Sequence, residues 1–581
     1  MKKIHNIITF IIVINSCVNL AYAANTGTQL NEAQRALDRI DKEKQRQLIT
    51  NEKQREQQIK QDTLAQEEGK SPAAGSAANK FKIDTIVIEN DDEFEFSAAR
   101  NAILKRFRGT LLGQREILQL AKELTDFYIN RGYVTTQVTI VPGSLRSGKL
   151  VLKVLWGKTS GFLHNSEQPG WREKLRLFSA MPFTKEKILN MRDIDQGLDN
   201  LLRVSPSDRL LIEADKKHGY SLINHQGEDV FPLSVYLGVN NSGYRSAGWY
   251  QYYLNSSLKN ILGLNDTLSY YYSWNDLYAD SDSQSAKSFS FNIPVGYWLL
   301  DASYYKSNYY KMIGGSYGGY SSDGQSERLS LKIGRTLFRN AAGKYSAWLK
   351  AEKRSNKNNI MNFPIAVSSK DYSSLSGGLS WVGSLAGGWS YLEASMTTGM
   401  PWFGSAWRQD SDLTGFDIDY KKYNGTLSWS RRLATAINGR LGLDYELSSG
   451  FQYSNDRLVS DAKYSLGDEF TVRGFKENIV SAEKALWLSN TLKAPLQINY
   501  ARIISLAPFI GFDTGMARNN CIVSASVCKT DYMSGAAVGI KVNGKDFSGS
   551  VTTAWPVIIP ASLKNSNKDN YTLYLNLSAG F

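Results

Sequence analysis

Residues able to do covalent or metal chemistry are few in this 581-residue chain, and their spacing builds no site. The histidines are His5, His164, His218 and His225, and none sits in a His-Glu-x-x-His arrangement. The cysteines, Cys17, Cys521 and Cys528, have no zinc-site spacing,. Gly157-Lys158-Thr159 has the end of a phosphate-binding loop, but the glycine needed five residues earlier is Leu152,. No Gly-x-Ser-x-Gly elbow with a histidine partner stands out. Paired carboxylates recur in the second half, where a charged, water-filled lumen supplies them without catalysis. The expectation is a protein that is not an enzyme and has no metal and no cofactor. What remains is the chemistry of charge pairing and of membranes, which depends on the elements that carry it.

The composition narrows those elements. Hydrophobic residues make up 42% and aromatic residues 12%, with 32 Tyr and 13 Trp. Membrane helices need runs of about 20 apolar residues; the longest apolar-dominated run is Ile7–Ile14, at the N-terminus. Lys2 and Lys3, that run, and Ala21-Tyr22-Ala23 read as an export signal, residues 1–23,. A rival reading makes Cys17 a lipoprotein acceptor, which Asn15 and Ser16 fit poorly. Cleavage after Ala23 removes Lys2 and Lys3 and lowers the net charge from +13 to +11. It leaves Cys521 and Cys528, an even number in an oxidising compartment, open to a disulfide or to two free thiols,. The basic charge fits a lumen or anionic surface lipid; no nucleic-acid partner is expected.

Residues 29–60 carry Leu30, Ala33, Leu37, Ile40 and Leu48 at helical spacing among Glu, Gln, Lys and Arg. Periodicity reads this as an amphipathic helix with a narrow apolar stripe, or a solvated charged arm. Residues 61–80, including Ser71-Pro72-Ala73-Ala74-Gly75, read as a flexible linker,. Residues 81–157 read as a small β-α-α-β-β domain with helices at about 97–107 and 114–130, and residues 158–230 as a shorter copy with a helix at 184–202. From Phe231 to Phe581 alternation with a period of two takes over. Tyr571, Leu573, Leu575, Leu577, Ala579 and Phe581 share one face of the last strand; Thr572, Tyr574, Asn576 and Ser578 share the other. Ten-residue segments, apolar outside and polar inside, are the pattern of a membrane β-barrel. Carboxylates and guanidinium groups recur on the inner face, where a dry sandwich core would not take them. At about 20–24 residues per strand with its turn, the region makes roughly 14–18 strands.

Three motifs, in order along the chain, carry a family resemblance. Leu124-Thr125-Asp126-Phe127-Tyr128-Ile129-Asn130-Arg131-Gly132-Tyr133-Val134-Thr135-Thr136, with Gly148-Lys149-Leu150 beyond it, resembles the first POTRA domain of two-partner secretion transporters. Asn190-Met191-Arg192-Asp193-Ile194-Asp195-Gln196-Gly197-Leu198-Asp199-Asn200-Leu201 resembles the second. Val472-Arg473-Gly474-Phe475 resembles the signature at the tip of the sixth extracellular loop. The resemblance implies a plug helix at 24–60, a linker at 61–80, POTRA domains at 81–157 and 158–230, and a 16-stranded outer-membrane barrel at 231–581, with the POTRA domains in the periplasm. It implies export of one large β-helical partner protein (a haemolysin, adhesin or contact-dependent toxin) by a monomeric transporter in contact with outer-membrane lipid. It also implies that the loop folds into the lumen and that Arg473 pairs with an Asp in a Phe-x-Asp-x-Gly strand motif. The candidate is Asp513 in Phe512-Asp513-Thr514-Gly515, where Phe512 stands one residue closer than that motif expects. An assembly factor of the same superfamily and a passive porin are the rival functions.

Overall fold

The computed structural model describes residues 32–67, 80–91, 94, 97–141, 148–228, 231–243, 248–275, 283–315, 318–476, 479–500, 502–520, 529–564 and 569–581. The export signal, the linker stretch 71–78 and the Cys521, Cys528 pair lie outside them.

Helix α1 runs Glu32–Glu67. The linker expected from residue 61 therefore begins later. Residues 61–67, Gln-Asp-Thr-Leu-Ala-Gln-Glu, contain neither Gly nor Pro, so nothing stops helix propagation before Gly69,. At 1.5 Å per residue the helix is about 54 Å long.

The first small domain pairs Thr85–Glu89 in parallel with Lys149–Leu155, and Gln137–Ile140 antiparallel on its other side. Helices α2 (Ala98–Phe107) and α3 (Gln114–Ile129) cover the sheet. The Ser97 side chain caps α2, and Ile117, Leu120, Leu124 and Tyr128 turn one face of α3 into the core.

The second domain is fuller than its sequence pattern. Strand Lys158–His164 pairs in parallel with Tyr220–Gln226, which pairs with Arg209–Ala214. Before the expected helix stands another, α4 (Trp171–Ala180), and the expected one, α5, begins at Met191, not 184, and ends at Leu202. Asn190 sets the start, because its side chain accepts from the Arg192 backbone N–H,. Helix α4 escaped the periodicity reading because it is ten residues long and has charges at Arg172, Glu173, Lys174 and Arg176.

The rest is one closed antiparallel barrel of sixteen strands. Strand Gly318–Asn340 shows why it forms: Leu329, Leu331 and Ile333 face outward and exposed, while Arg328 and Ser330 face the lumen and are buried. With no water in the hydrocarbon, the backbone groups must pair across strands, and closure removes the edges. Tight turns such as Val295–Trp298 and Asn340–Gly343 lie at one rim, with the small domains. Longer loops lie at the other. The ring closes where Leu233–Asn240 meets Thr572–Gly580, over five residue pairs, against thirteen between Ser283–Val295 and Trp298–Gly315. Beyond those five pairs the Asn241 side chain acts as a piece of backbone, donating to Leu573 O (2.7 Å) and accepting from Leu575 N (2.8 Å).

Candidate functional site

Among the described residues, two chain segments that are not barrel strands lie in the lumen. The first is the loop between Leu441–Tyr453 and Lys484–Lys493, which carries a short hairpin, Tyr464–Leu466 with Val480–Ala482. Its tip brings Arg473 onto Asp513, on barrel strand Ile503–Arg518. Arg473 Nε donates to Asp513 Oδ2 at 2.6 Å, Nη2 to Oδ1 at 2.6 Å, and the Arg473 backbone N–H to Oδ2 at 3.0 Å. Ser489 Oγ adds a bond of 2.7 Å to Oδ1. Both charged side chains are buried, and Asp513 is fully so. A fork-on-carboxylate pair in such a place fixes geometry as well as energy. Val472 and Phe475 are buried in an apolar cluster with Leu466, Trp487, Ala517 and Met533. Phe512 alternates to the outer face and is exposed, so it takes no part in the pair.

Absent side chains let the loop tip in. Gly474 has φ +105° and donates its N–H to Tyr574 Oη at 3.1 Å. A Cβ on Gly515 would sit 2.9 Å from Val472 Cγ2, one on Gly511 2.2 Å from Arg473 Nη2, and one on Gly535 1.8 Å from the Arg473 carbonyl oxygen. Gly535→Ala is therefore expected to expel the tip, because the obstacle is backbone. Trypsin should then cut after Arg473 in the folded barrel. Gly334→Ala, whose Cβ meets nothing nearer than 3.8 Å, is the control that should stay resistant. Resistance of both would show that the slot is not what seats the loop.

The second segment is α1. Near the long-loop rim, Lys42 Nζ reaches Asp468 Oδ2 (2.6 Å) and Arg39 Nε reaches Glu469 Oε1 (3.3 Å), both on the loop just described. At the same level Asp41 takes Arg328 in a two-pronged pair, and further along the helix Lys53 donates to Ser428 (2.9 Å) and Ser430 (3.2 Å). The apolar stripe is sparing: Ala36, Leu37 and Ile40 pack against Ala286 and Tyr305, and Ile49 against Val382 and Tyr391. Ile59 is the exception, buried in the core of the second small domain.

At the tight-turn rim one carboxylate joins three bodies. Asp199, on α5, accepts from Arg55 Nε of α1 (2.8 Å), from Arg339 Nη2 (2.8 Å) and from Lys344 Nζ (2.9 Å), the last two on barrel strands. Arg339 also donates to Glu56 Oε2 (2.8 Å) and Gln196 Oε1 (3.0 Å), and Glu52 pairs with Lys344, Arg55 and Arg203. Burial by itself would raise the Asp199 carboxyl. Lys344, Arg55 and Arg339 outweigh it and hold the group well below the usual carboxylate range.

The remaining motif residues position the two small domains. Tyr128 is buried, its ring 5.3 Å from Trp156, and burial pushes its phenol up. Tyr133 lies 5.1 Å from the same indole. Gly132 (φ +97°) accepts at its carbonyl from Met191 N at 2.7 Å, and a Cβ there would fall 2.4 Å from Asn190 Oδ1, so the two domain motifs meet at this point. Arg192 pairs with Asp195 at 3.3 Å. Asp193 bonds Tyr297 in a barrel turn, and burial raises its carboxyl. Gly197 makes room for Met181, whose Sδ would stand 2.3 Å from a Cβ. The sequence reading quoted Asp199 inside a motif without giving it a role, and it passed over Gly511, Gly535, Arg339 and Lys344 altogether.

The family model described as haemolysin secretion/activation protein ShlB/FhaC/HecB matches residues 219–542, a POTRA domain of ShlB type matches 81–157, and a further POTRA domain matches 161–209. The outer membrane transporter CdiB of Dickeya dadantii (strain 3937) is 27% identical over 474 residues, 78% of this chain and 82% of that one. The hemolysin transporter protein ShlB of Serratia marcescens is 27% identical over 498 residues, 84% of each. The solved structure of CdiB from Escherichia coli superimposes with a TM-score of 0.85 at 23% identity, covering 95% of this chain and 100% of that one. CdiB from Acinetobacter baumannii gives 0.72 at 19%, covering 91% and 97%.

Proposed function

Because this chain belongs to the haemolysin secretion/activation protein ShlB/FhaC/HecB family, we propose that its outer-membrane barrel passes one large exported partner protein to the cell surface. The partner arrives unfolded in the periplasm. The open outer strands of the two POTRA sheets, Gln137–Ile140 and Arg209–Ala214, can take an extended segment by backbone pairing, which asks little of side-chain sequence,. Helix α1 is the resting plug and leaves the lumen to admit the chain. Folding of the partner outside then draws the rest across. A β-helical partner of the haemolysin or contact-toxin kind suits that last step, because each completed turn templates the next.

The observation that carries this reading is the kind of occupant in the lumen. Helix α1 is held there chiefly by ion pairs and hydrogen bonds, with few apolar contacts. Water can replace such bonds as the helix departs, so removal costs far less than extracting a core helix. Deleting residues 32–67 is expected to raise single-channel conductance in planar bilayers several-fold; unchanged conductance would remove the plug from the mechanism. Co-expression with a large exported repeat protein should place that protein outside the cell only when this chain is present. Retention in the periplasm would overturn the export reading.

A further inference from the structure

Helix α4 has three faces, and only two are used among the described residues. At 100° per residue, Leu177 and Ala180 turn into the core of the second POTRA domain,. Arg172, Arg176 and Ser179 turn to the barrel's periplasmic turns: Arg172 Nη2 donates to Asn260 O (2.9 Å), Arg176 Nε to Asn265 Oδ1 (3.1 Å), and Ser179 O accepts from Gly296 N (2.8 Å). The third face is Trp171, Leu175 and Phe178, spaced i, i+4, i+7. Trp171 is 72% exposed and Phe178 66%, and Leu175 is exposed as well. Two large aromatic rings and a leucine in one stripe mark a surface with a partner.

The position of the helix says which partner. Helix α5, on the core side of α4, carries Asp199 in under the lumen to the plug. The body of the domain therefore lies toward the barrel axis, the rim lies above α4, and the third face looks outward past the barrel wall. Leu175 stands beside Gly263, 3.9 Å from where a Cβ would be, in the turn that exposes Ile261 and Leu262. From there the apolar surface continues into Leu258 and Leu233 on the outer wall. Lys174 is exposed next to the stripe.

We infer that α4 is an interfacial anchor that seats the second POTRA domain in the periplasmic leaflet of the outer membrane, its occupant being glycerophospholipid. Trp and Phe rings settle at the boundary between headgroup and acyl chain, and a flanking Lys meets the phosphate. The inference rests on the barrel's being in the membrane and not on what it exports.

A spin label at Phe178→Cys, with Cys521→Ser and Cys528→Ser, tests it in nanodiscs of phosphatidylethanolamine and phosphatidylglycerol. Labels at Leu329→Cys on the outer wall and Leu118→Cys on the first POTRA domain are the references. The label at 178 should collide more with oxygen than with a water-soluble nickel complex, as at 329 and opposite to 118. If 178 behaves like 118, the anchor is overturned. If 329 also behaves like 118, the membrane placement has failed first. If 178 becomes shielded only when the exported partner's segment is added, the stripe is a protein-docking face and the lipid assignment is wrong. The unmodified chain gives a second reading: a photoactivatable phospholipid should label the 171–180 peptide along with the outer wall, and labelling of the wall alone counts against the anchor.

Discussion

Asp513→Ala is expected to abolish secretion of the partner while leaving a barrel that still assembles. The substitution takes the countercharge from a buried guanidinium, which keeps only the neutral partners Ser489, Asn490 O and Thr491, and takes the acceptor from the Arg473 backbone N–H. Breaking a buried pair from one side typically costs about 3–5 kcal/mol, because the remaining charge is uncompensated. Arg473→Ala should also release the loop, leaving a carboxylate that keeps the Ser489 hydroxyl and the residue-473 backbone N–H but has lost its countercharge. Replacing both, as Arg473→Met with Asp513→Leu, should recover much of the lost stability without recovering the loop's alignment. Resistance of the loop to trypsin and the heat-modifiable mobility of the barrel separate the two effects. A secreting, trypsin-resistant Asp513→Ala variant would show that the pair is an ornament of the lumen.

The second large effect is expected at Asp199. Asp199→Asn keeps the shape and removes a charge that α1, the second POTRA domain and the barrel share. Three carboxylates, Glu52, Glu56 and Asp199, face four cations there, Arg55, Arg203, Arg339 and Lys344, and the substitution leaves two against four. If about 3 kcal/mol is lost from the docked state, its ratio to the undocked state falls roughly 100-fold. Planar-bilayer recordings should then show long-lived open events that are rare in the unmodified protein. Lys53→Ala, whose partners are neutral serines, should change little. The direction with pH also follows. A carboxyl held below its usual value contributes stability above about pH 4 and loses it only as the pH falls through its lowered folded value. Asp199 should therefore keep the plug docked, with conductance unchanged, between pH 5 and 8. Plug release on mild acidification would locate the latch elsewhere.

What was legible in the chain was whatever is local. Alternation along a strand depends on its own residues, so Leu573 and Leu577 outside with Tyr574 inside could be read directly. The loop motif was legible because it is contiguous. Helix α1 was half legible. Its apolar stripe was plain, but its charged face reads like any solvated face, because the partners that neutralise it are far away: Arg55 and Asp199 are 144 positions apart. The glycine slot was hidden for a related reason. Gly511 and Gly535 stand in strands where nothing nearby demands them, and their purpose is a backbone that arrives from another part of the chain. Helix α4 was missed because it is short and charged and its apolar residues are split between the domain core (Leu177, Ala180) and an exposed face (Trp171, Leu175, Phe178), so no single stripe marked it.

The five-pair joint between the first and last strands bears on the order of assembly. A ring is only as closed as its shortest seam, and here a side chain, Asn241, stands in for missing backbone. The loop tip reinforces the same place: Lys476 bonds the Asn241 carbonyl and lies 4.4 Å from the centre of the Trp249 ring, and Gly474 bonds Tyr574 on the last strand. During biogenesis the chain thus has an internal inspection step. The joint that completes the cylinder reaches full strength only when the loop is already inside, so a barrel that closed with its contents misplaced would be the one most easily reopened and repaired.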